Sequence, residues 1–267
     1  LARLMYNYRG KYYLTGSFRR DGSSQINREY SKKFQNFWAF GGAWEISKES
    51  FLESVKFINY LKLKASYGVL GNYTAPDGRL YPAYPGFSST SSGVFGNSTI
   101  PVYTPSWTYD PNLKWETVHS TEIGFDADLL SNRLHLEFAY YSKETKDLMT
   151  RVSPLTATLP RIGNLGSIKN SGIELMGDWK QKINKDLTLT FSGNFTTYKN
   201  KVTELKYPTR GIISSSEQTP NQVEVGQPMG YFYGLIVEGI YQSYSDILAS
   251  PVSTINGGGA KPGDLKY

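Results

Sequence analysis

The residues able to do chemistry are few and dispersed. There are two histidines, His119 and His135, and no cysteine. Without cysteine there is no thiol nucleophile, no disulfide and no cysteine-ligated zinc. Neither histidine stands in an HxxxH pattern or at metal-site spacing from a carboxylate. No Gly-x-Ser-x-Gly turn supports a Ser-His-Asp hydrolase. Acidic residues are scattered along the chain and form no acid/base pair that can be named. The run Gly257-Gly-Gly-Ala-Lys-Pro-Gly263 lacks the Gly-Lys-Ser/Thr ending of a phosphate loop and reads as a flexible connection. These observations argue against an enzyme and give no metal site and no cofactor. Lys and Arg outnumber Asp and Glu by 29 to 23, for a net charge of +6. They are spread rather than clustered, Arg19-Arg20 being the densest spot, so no nucleic-acid partner is expected.

A different kind of chemistry is written into the stretch 71–114. It holds Tyr73, Tyr81, Tyr84, Phe87, Phe95, Tyr103, Trp107 and Tyr109 among Gly, Ser, Pro and Asn. Rigid aromatics beside small polar residues are the makings of a recognition surface. Tyr81, Tyr84, Tyr103, Trp107 and Tyr109 are the candidates to stack on sugar rings or grip a partner protein. The competing reading is that a loop this long packs its aromatics on itself to stay ordered.

The elements that must position these residues are strands. Of 267 residues, 15% are aromatic and 26 are Gly, a β-rich composition with many turns. Only 19% are charged, which argues against disorder. Mean hydropathy is −0.43, and no run approaches the ~20 apolar residues of a spanning helix. The dominant signal is alternation with period two. In 132–140, Leu134, Leu136, Phe138 and Tyr140 oppose Arg133, His135 and Glu137. In 186–196, Leu187, Leu189, Phe191 and Phe195 oppose Thr188, Thr190, Ser192 and Asn194. The pattern predicts about nine strands: 1–9, 11–19, 36–46, 60–70, 115–129, 132–148, 168–180, 186–198 and 229–241. Most exceed the usual globular length of about 5–6 residues and suit a tilted strand crossing a bilayer.

The connections alternate. Long ones, 20–35, 71–114, 149–167 and 199–228, are separated by shorter ones at 10, 47–59, 130–131 and 181–185. In an up-and-down sheet this puts every long connection on one rim, as in outer-membrane barrels. The 47–59 connection carries Ser50 and Glu53 at capping-box spacing and predicts a single helical turn. Aromatics gather near strand ends, with Tyr12, Trp44, Tyr60 and Trp179 toward the short-turn rim. Trp115, Tyr140, Tyr141 and Tyr198 lie toward the other rim or mid-strand; two girdles would give this pattern, and so would the plain preference of aromatics for strands. Nine strands do not close in the usual even-numbered way, and an open lipid-facing sheet would leave backbone groups unpaired in hydrocarbon. The chain therefore reads as all-β, residues 1–267 forming part of a larger antiparallel transmembrane barrel. Arg133, His135 and Glu137 then face the lumen.

Several stretches carry a specific resemblance. They are Tyr13-Leu-Thr-Gly-Ser-Phe-Arg-Arg-Asp-Gly-Ser-Ser24, Phe37-Trp-Ala-Phe-Gly-Gly-Ala-Trp44 and Leu61-Lys-Leu-Lys-Ala-Ser-Tyr-Gly-Val-Leu-Gly-Asn72. With them come Asn112-Leu-Lys-Trp-Glu116, Glu122-Ile-Gly-Phe-Asp126, Asn170-Ser-Gly-Ile-Glu174, Val225-Gly-Gln-Pro-Met-Gly-Tyr-Phe-Tyr-Gly234 and Pro262-Gly-Asp-Leu-Lys-Tyr267. In identity and order they resemble the SusC/RagA family of TonB-dependent outer-membrane transporters, over essentially the whole chain. The resemblance implies a barrel of about 22 strands around a plug. It also implies a SusD-like surface lipoprotein as lid, a cargo of oligosaccharide or peptide, and a TonB complex acting through an N-terminal region. It places the protein in the outer membrane of a Gram-negative bacterium. This chain resembles the middle barrel strands, with plug, TonB box and barrel C-terminus outside it. The rival readings are a soluble or secreted β-sandwich carbohydrate-binding module and a secreted β-rich hydrolase.

Overall fold

The computed structural model of the chain describes residues 1–26, 29, 33–152, 159–206, 221–250 and 259–267. Parts of the expected connections 20–35, 149–167 and 199–228, and of the glycine-rich run at 257–263, lie outside these residues. Two compact units divide the chain. The first comprises Leu1–Thr209 and Glu224–Met229, the second Arg210–Val223 and Gly230–Tyr267.

The first unit is built on one antiparallel sheet of eight strands. These are β1 (Ala2–Tyr8), β2 (Tyr12–Gly22), β3 (Phe34–Glu45), β4 (Ile58–Asn72), β7 (Glu116–Leu129), β8 (Leu134–Val152), β9 (Arg161–Lys182) and β10 (Thr188–Leu205). They pair in that order, with β1 and β10 at the edges. The connections 9–11, 46–57, 130–133 and 183–187 all fall at one end, and 23–33, 73–115 and 153–160 at the other. Between β4 and β7 the chain inserts a separate hairpin, β5 (Gly86–Phe95) and β6 (Ser98–Trp107).

Register carries the alternation across the whole sheet. One unbroken row of paired residues runs Tyr8, Tyr12, Trp44, Leu63, Phe125, Phe138, Leu175, Phe195. The row one residue away reads Glu45, Lys62, Asp126, Glu137, Met176, Asn194. A one-residue slip in any pair would mix these rows, so the contrast fixes the register. Among the described residues of this unit, no second layer covers the apolar face. Tyr12, Leu63, Leu175 and Phe195 are exposed on it, and Phe125 stacks on Phe138 with centroids 5.5 Å apart.

Aromatics mark both ends of the apolar face. Tyr8, Tyr12 and Trp44 form a run at the short-connection end, with centroid spacings of 6.4 and 6.3 Å. Trp38 and Tyr67 meet at 5.3 Å nearer the other end. Trp44 and Trp38 are six residues apart on β3, about 20 Å along the strand. That suits the ~25 Å apolar band of an outer-membrane barrel. Trp179 and Tyr140 share this face through their partners Leu134 and Ile123. Four aromatics expected in the girdles lie elsewhere. Tyr60 pairs with Asp128 on the polar face, in step with Lys62 and Asp126. Tyr141 and Tyr198 both pair with Gly172 on that face, and Trp115 is buried.

The core sits at the long-connection end. Ile26, Phe37, Val69, Ala83, Leu113, Trp115, Met149 and Ile162 cluster there, with Tyr84 packed against them. Strands reach this core by running further than the alternation predicts. β8 continues to Val152 and β9 begins at Arg161, so most of the expected loop 149–167 is strand.

The 46–57 connection contains two 3₁₀ turns, Ile46–Lys48 and Ser50–Leu52, and no capping box forms, because Glu49 rather than Ser50 precedes the second turn. Glu49 instead ties the connection to the aromatic run. Its carboxylate accepts from Tyr12 Oη at 2.8 Å, Lys11 Nζ at 3.1 Å and Trp44 Nε1 at 3.2 Å. Those three donors hold the Glu49 carboxyl below the usual carboxylate range. A depressed pKa contributes order that is present at neutral pH and is lost as pH falls through it. The protection of 46–57 against hydrogen exchange, measured relative to the intrinsic rate at each pH, should therefore fall in acid as Glu49 protonates, and Glu49→Gln should show low protection at every pH.

The second unit contains the two-residue pairs β11 (Asn221–Gln222) with β12 (Tyr231–Phe232), and β13 (Gly239–Ile240) with β14 (Leu265–Lys266). Its helix α1 (Tyr244–Ala249) is capped by Ser243 Oγ, which accepts from Asp246 N at 3.2 Å. Tyr241 is buried there. The expected ninth strand, 229–241, is thus two short pieces outside the eight-stranded sheet. Gly230, in the left-handed region at φ 71°, interrupts its start.

Candidate functional site

Two regions carry polar and aromatic side chains that could meet a ligand. The first is the long connection 73–115 and the strand ends that hold it. Its anchor is Asn112-Leu-Lys-Trp-Glu116. Leu113 and Trp115 point into the core at 0% and 5% exposure. Phe37 and Tyr73 close on the Trp115 ring edge-on, with centroids 5.6 and 5.1 Å away. Trp115 Nε1 donates to the Lys33 carbonyl at 3.3 Å.

Lys114, between them, points the other way. Its Nζ lies 2.8 Å from Asp147 Oδ2, while Lys206 Nζ lies 2.8 Å from Asp147 Oδ1. Asp147 occupies the left-handed region at φ 54°, where the β8–β9 register shifts between Thr145 and Leu148. The bulge aims its carboxylate at both lysines. Asn164 completes the knot from β9. Its Oδ1 accepts from Lys114 N at 2.9 Å, and its Nδ2 donates to the carbonyls of Lys114 at 2.9 Å and Asp147 at 2.6 Å. Asn164 is buried with these bonds satisfied, so it fixes the root of the connection to β8 and β9.

Of the five aromatic candidates, Tyr81 and Tyr103 are exposed, at 51% and 67%. Trp107 packs within the connection. Its Nε1 donates to the Tyr84 carbonyl at 2.9 Å, the Arg79 guanidinium lies 4.1 Å over its ring, and the ring covers Gly86. A Cβ at Gly86 would sit 2.1 Å from that ring, so this glycine is needed for the packing. Tyr84 meets Tyr81 edge-on at 5.9 Å and rests on the core, and Tyr109 is half-buried. The structure also exposes Phe87, Phe95, Val94 and Ile100 on the β5–β6 hairpin. No charged residue occurs from Gly86 to Trp107.

The second region is the polar face of the sheet. Asp128, His135 and Asp178 stand side by side on β7, β8 and β9. His135 Nδ1 is 2.6 Å from Asp128 Oδ1 and its Nε2 is 3.2 Å from Glu137 Oε1. Arg133 lies just before β8 at the short-connection end. It joins Asp128, Asn132, His135, Asp178 and Lys180 around an open pocket of about 390 Å³. Further up, Lys64 Nζ pairs with Asp126 Oδ1 at 2.6 Å. The other histidine, His119, lies on the opposite, apolar face, where its Nδ1 is 2.8 Å from Tyr67 Oη. Among the described residues no group of three His, Asp or Glu side chains is placed to hold a metal. No helix among them is long and apolar enough to cross a membrane, which says nothing of a barrel.

Comparison with known proteins agrees with this architecture. A family model described as TonB dependent receptor-like, beta-barrel, matches residues 2–254. The chain is 34% identical over 248 residues to TonB-dependent receptor P3 of Formosa agariphila, covering 90% of this chain and 24% of that protein. It is 28% identical over 283 residues to TonB-dependent receptor SusC of Bacteroides thetaiotaomicron, covering 100% of this chain and 27% of SusC. Two solved structures of the RagAB peptide importer, in its closed-closed and open-open states, superpose with TM-scores of 0.76 and 0.74 at 25% and 26% identity. Each match covers 90% of this chain and 25% of the other. The chain thus spans about a quarter of the length of these relatives. By its amphipathic eight-stranded sheet and by these matches, the chain belongs to the TonB-dependent receptor β-barrel family of the bacterial outer membrane, as one segment of its barrel wall.

Proposed function

We propose that this segment is part of the wall of an importer that takes a nutrient oligomer, an oligosaccharide or a peptide, across the outer membrane. A single observation carries the reading. The paired apolar row crosses all eight strands unbroken, one residue from a row that from β3 to β10 is charged or amide at every position but Met176. Such a sheet is suited to acyl chains on one face and water on the other. Arg133, His135 and Glu137 then belong to the lumen or contact the plug. The short connections face the periplasm, and the long ones stand outside.

The long connection 73–115, with Tyr81 and Tyr103 exposed on it, is the part placed to meet cargo or a SusD-like surface lipoprotein. A peptide cargo finds support in the RagAB peptide importer being a structural neighbour. Energy would come from a TonB complex acting on an N-terminal region. Binding and gated passage need no bond chemistry, in keeping with the dispersed titratable groups. The test uses the full-length protein in its host. A strain carrying Tyr81→Ala and Tyr103→Ala should grow several-fold more slowly than its parent on one class of oligomer, peptide or glycan, and normally on the monomers. Growth equal to the parent on every oligomer would remove these two residues from the uptake route.

A further inference from the structure

The short-connection end carries a pattern that transport does not require. At three of its four connections, exposed apolar side chains stand in or next to the connection together with exposed basic ones. In 46–57, Phe51 and Phe57 are 63% and 56% exposed and lie beside Lys56. In 130–133, Leu130 is exposed, while Arg133 belongs to the polar-face pocket. In 183–187, exposed Ile183 and Leu187 flank Lys185. At the first turn the Arg9 guanidinium lies 5.1 Å over the ring of Tyr8, a member of the aromatic run on the apolar face. The four connections together hold Arg9, Lys11, Lys48, Lys56, Arg133 and Lys185; Lys11 pairs with Glu49, Lys48 with Glu45, and Arg133 belongs to the polar-face pocket, so Arg9, Lys56 and Lys185 are the cations of the patch.

We propose that this end does not hang in periplasmic water but seats in the headgroup layer of the inner leaflet and selects anionic phospholipid. Three observations point the same way. The exposed apolar side chains would lose hydrophobic stabilisation in water and regain it in the headgroup–acyl boundary. The basic excess matches lipid phosphate in sign, and basic residues beside a membrane surface attract anionic lipid. The patch is also continuous with the apolar sheet face, through Tyr8, Tyr12 and Trp44. Glu49 holds the 46–57 connection against that row by accepting from Tyr12 Oη and Trp44 Nε1. Arg9, stacked on Tyr8, is the leading phosphate ligand, with its ring-bound guanidinium edge free to donate.

This inference rests on the outward orientation of the apolar face, and the experiment separates the two. Full-length protein is placed in nanodiscs of mixed phosphatidylcholine and phosphatidylglycerol, and the lipids it retains are counted by native mass spectrometry. The parent should retain phosphatidylglycerol preferentially. Arg9→Gln with Lys56→Gln and Lys185→Gln should lower that preference about fivefold or more. Equal retention by parent and variant overturns the proposal. A second measurement stands even if the triple variant fails to assemble. A nitroxide on Ser54→Cys, with other cysteines of the full-length protein replaced, should be shielded from a water-soluble paramagnetic reagent and lie at headgroup depth. Full aqueous accessibility at 54, with a label at Leu136→Cys still in lipid, sinks this inference and leaves the barrel orientation standing. Aqueous accessibility at both positions sinks both.

Discussion

Phe138→Arg should abolish assembly of the full-length barrel, while Glu137→Arg should assemble normally. The two positions are adjacent on β8 and point to opposite faces. Phe138 lies in the apolar row between Phe125 and Leu175, stacked on Phe125 at 5.5 Å. Arginine there loses the ring pair, worth ~0.5–1.5 kcal/mol. It also places a guanidinium against hydrocarbon near mid-bilayer, at ~2–4 kcal/mol. Glu137 is exposed on the polar face between Asp126 and Met176 and gives up one contact, 3.2 Å to His135 Nε2. An arginine at 137 gains Asp126 as a neighbour, so its cost should stay within about 0.5 kcal/mol. Leu136→Arg should fall between, because Leu136 is three residues past Arg133 and nearer the short-connection rim, where the penalty for charge declines. Folded fractions from heat-modifiability on gels, and midpoints from urea titration in lipid, would give the order Phe138 worst, Leu136 next, Glu137 least. Equal assembly of the Phe138 and Glu137 variants would reverse the assignment of faces.

The parts of the fold legible from sequence are those where the two faces meet different solvents. In 60–70, 115–129, 132–148 and 186–198 the apolar positions must recur every second residue, and the strands found there cover those ranges almost entirely. The rule fails where both faces meet the same kind of surroundings. Arg161-Ile-Gly-Asn-Leu-Gly-Ser167 has little alternation, because Ile162, Gly163, Asn164 and Ser167 are buried against the external core rather than divided between lipid and water. The β5–β6 hairpin was hidden for another reason. Pro101 and Pro105 and a run of serines argue against a strand, yet a two-stranded hairpin has only edges, and an edge tolerates proline. The 229–241 stretch differs in the opposite direction, since its aromatics suggest a strand that is interrupted at Gly230 and across 233–238.

At the candidate site, residue type picks out the aromatics and hides how they divide between packing and exposure. Eight aromatics in one connection announce a crowded surface, but nothing in the sequence says that Trp107 lies over Gly86 while Tyr103 is exposed. The Asp147–Lys114–Lys206–Asn164 knot joins four distant stretches, so no spacing rule could announce it. The left-handed Asp147 had no glycine or asparagine to signal it.

Trp115→Ala should loosen the external connection 73–115 without unfolding the sheet beneath it. The ring lies in the buried cluster of the first unit's described residues, with Phe37 and Tyr73 on its edges and its Nε1 bonded to Lys33 O. Removing it leaves a cavity among Leu113, Met149 and Ile162 and should cost about 3–5 kcal/mol of local stability. That loss stays local because the core lies at one end of the strands, and the eight-stranded ladder continues below it with its own register. In whole cells expressing the full-length protein, protease added outside should cut 73–115 in the variant and spare it in the parent. Trp115→Phe should recover much of the protection, since it restores the packed ring and lacks only the 3.3 Å bond to Lys33. The amount of barrel in the outer membrane should not change. If barrel level falls together with loop protection, the external core is part of the assembly nucleus, and the division between a self-sufficient wall and a separately packed crown is wrong. If only protection is lost, Asn112-Leu-Lys-Trp-Glu116 acts as a mount. It buries Leu113 and Trp115, ties Lys114 to Asp147, and roots the stretch on which Tyr81 and Tyr103 are exposed.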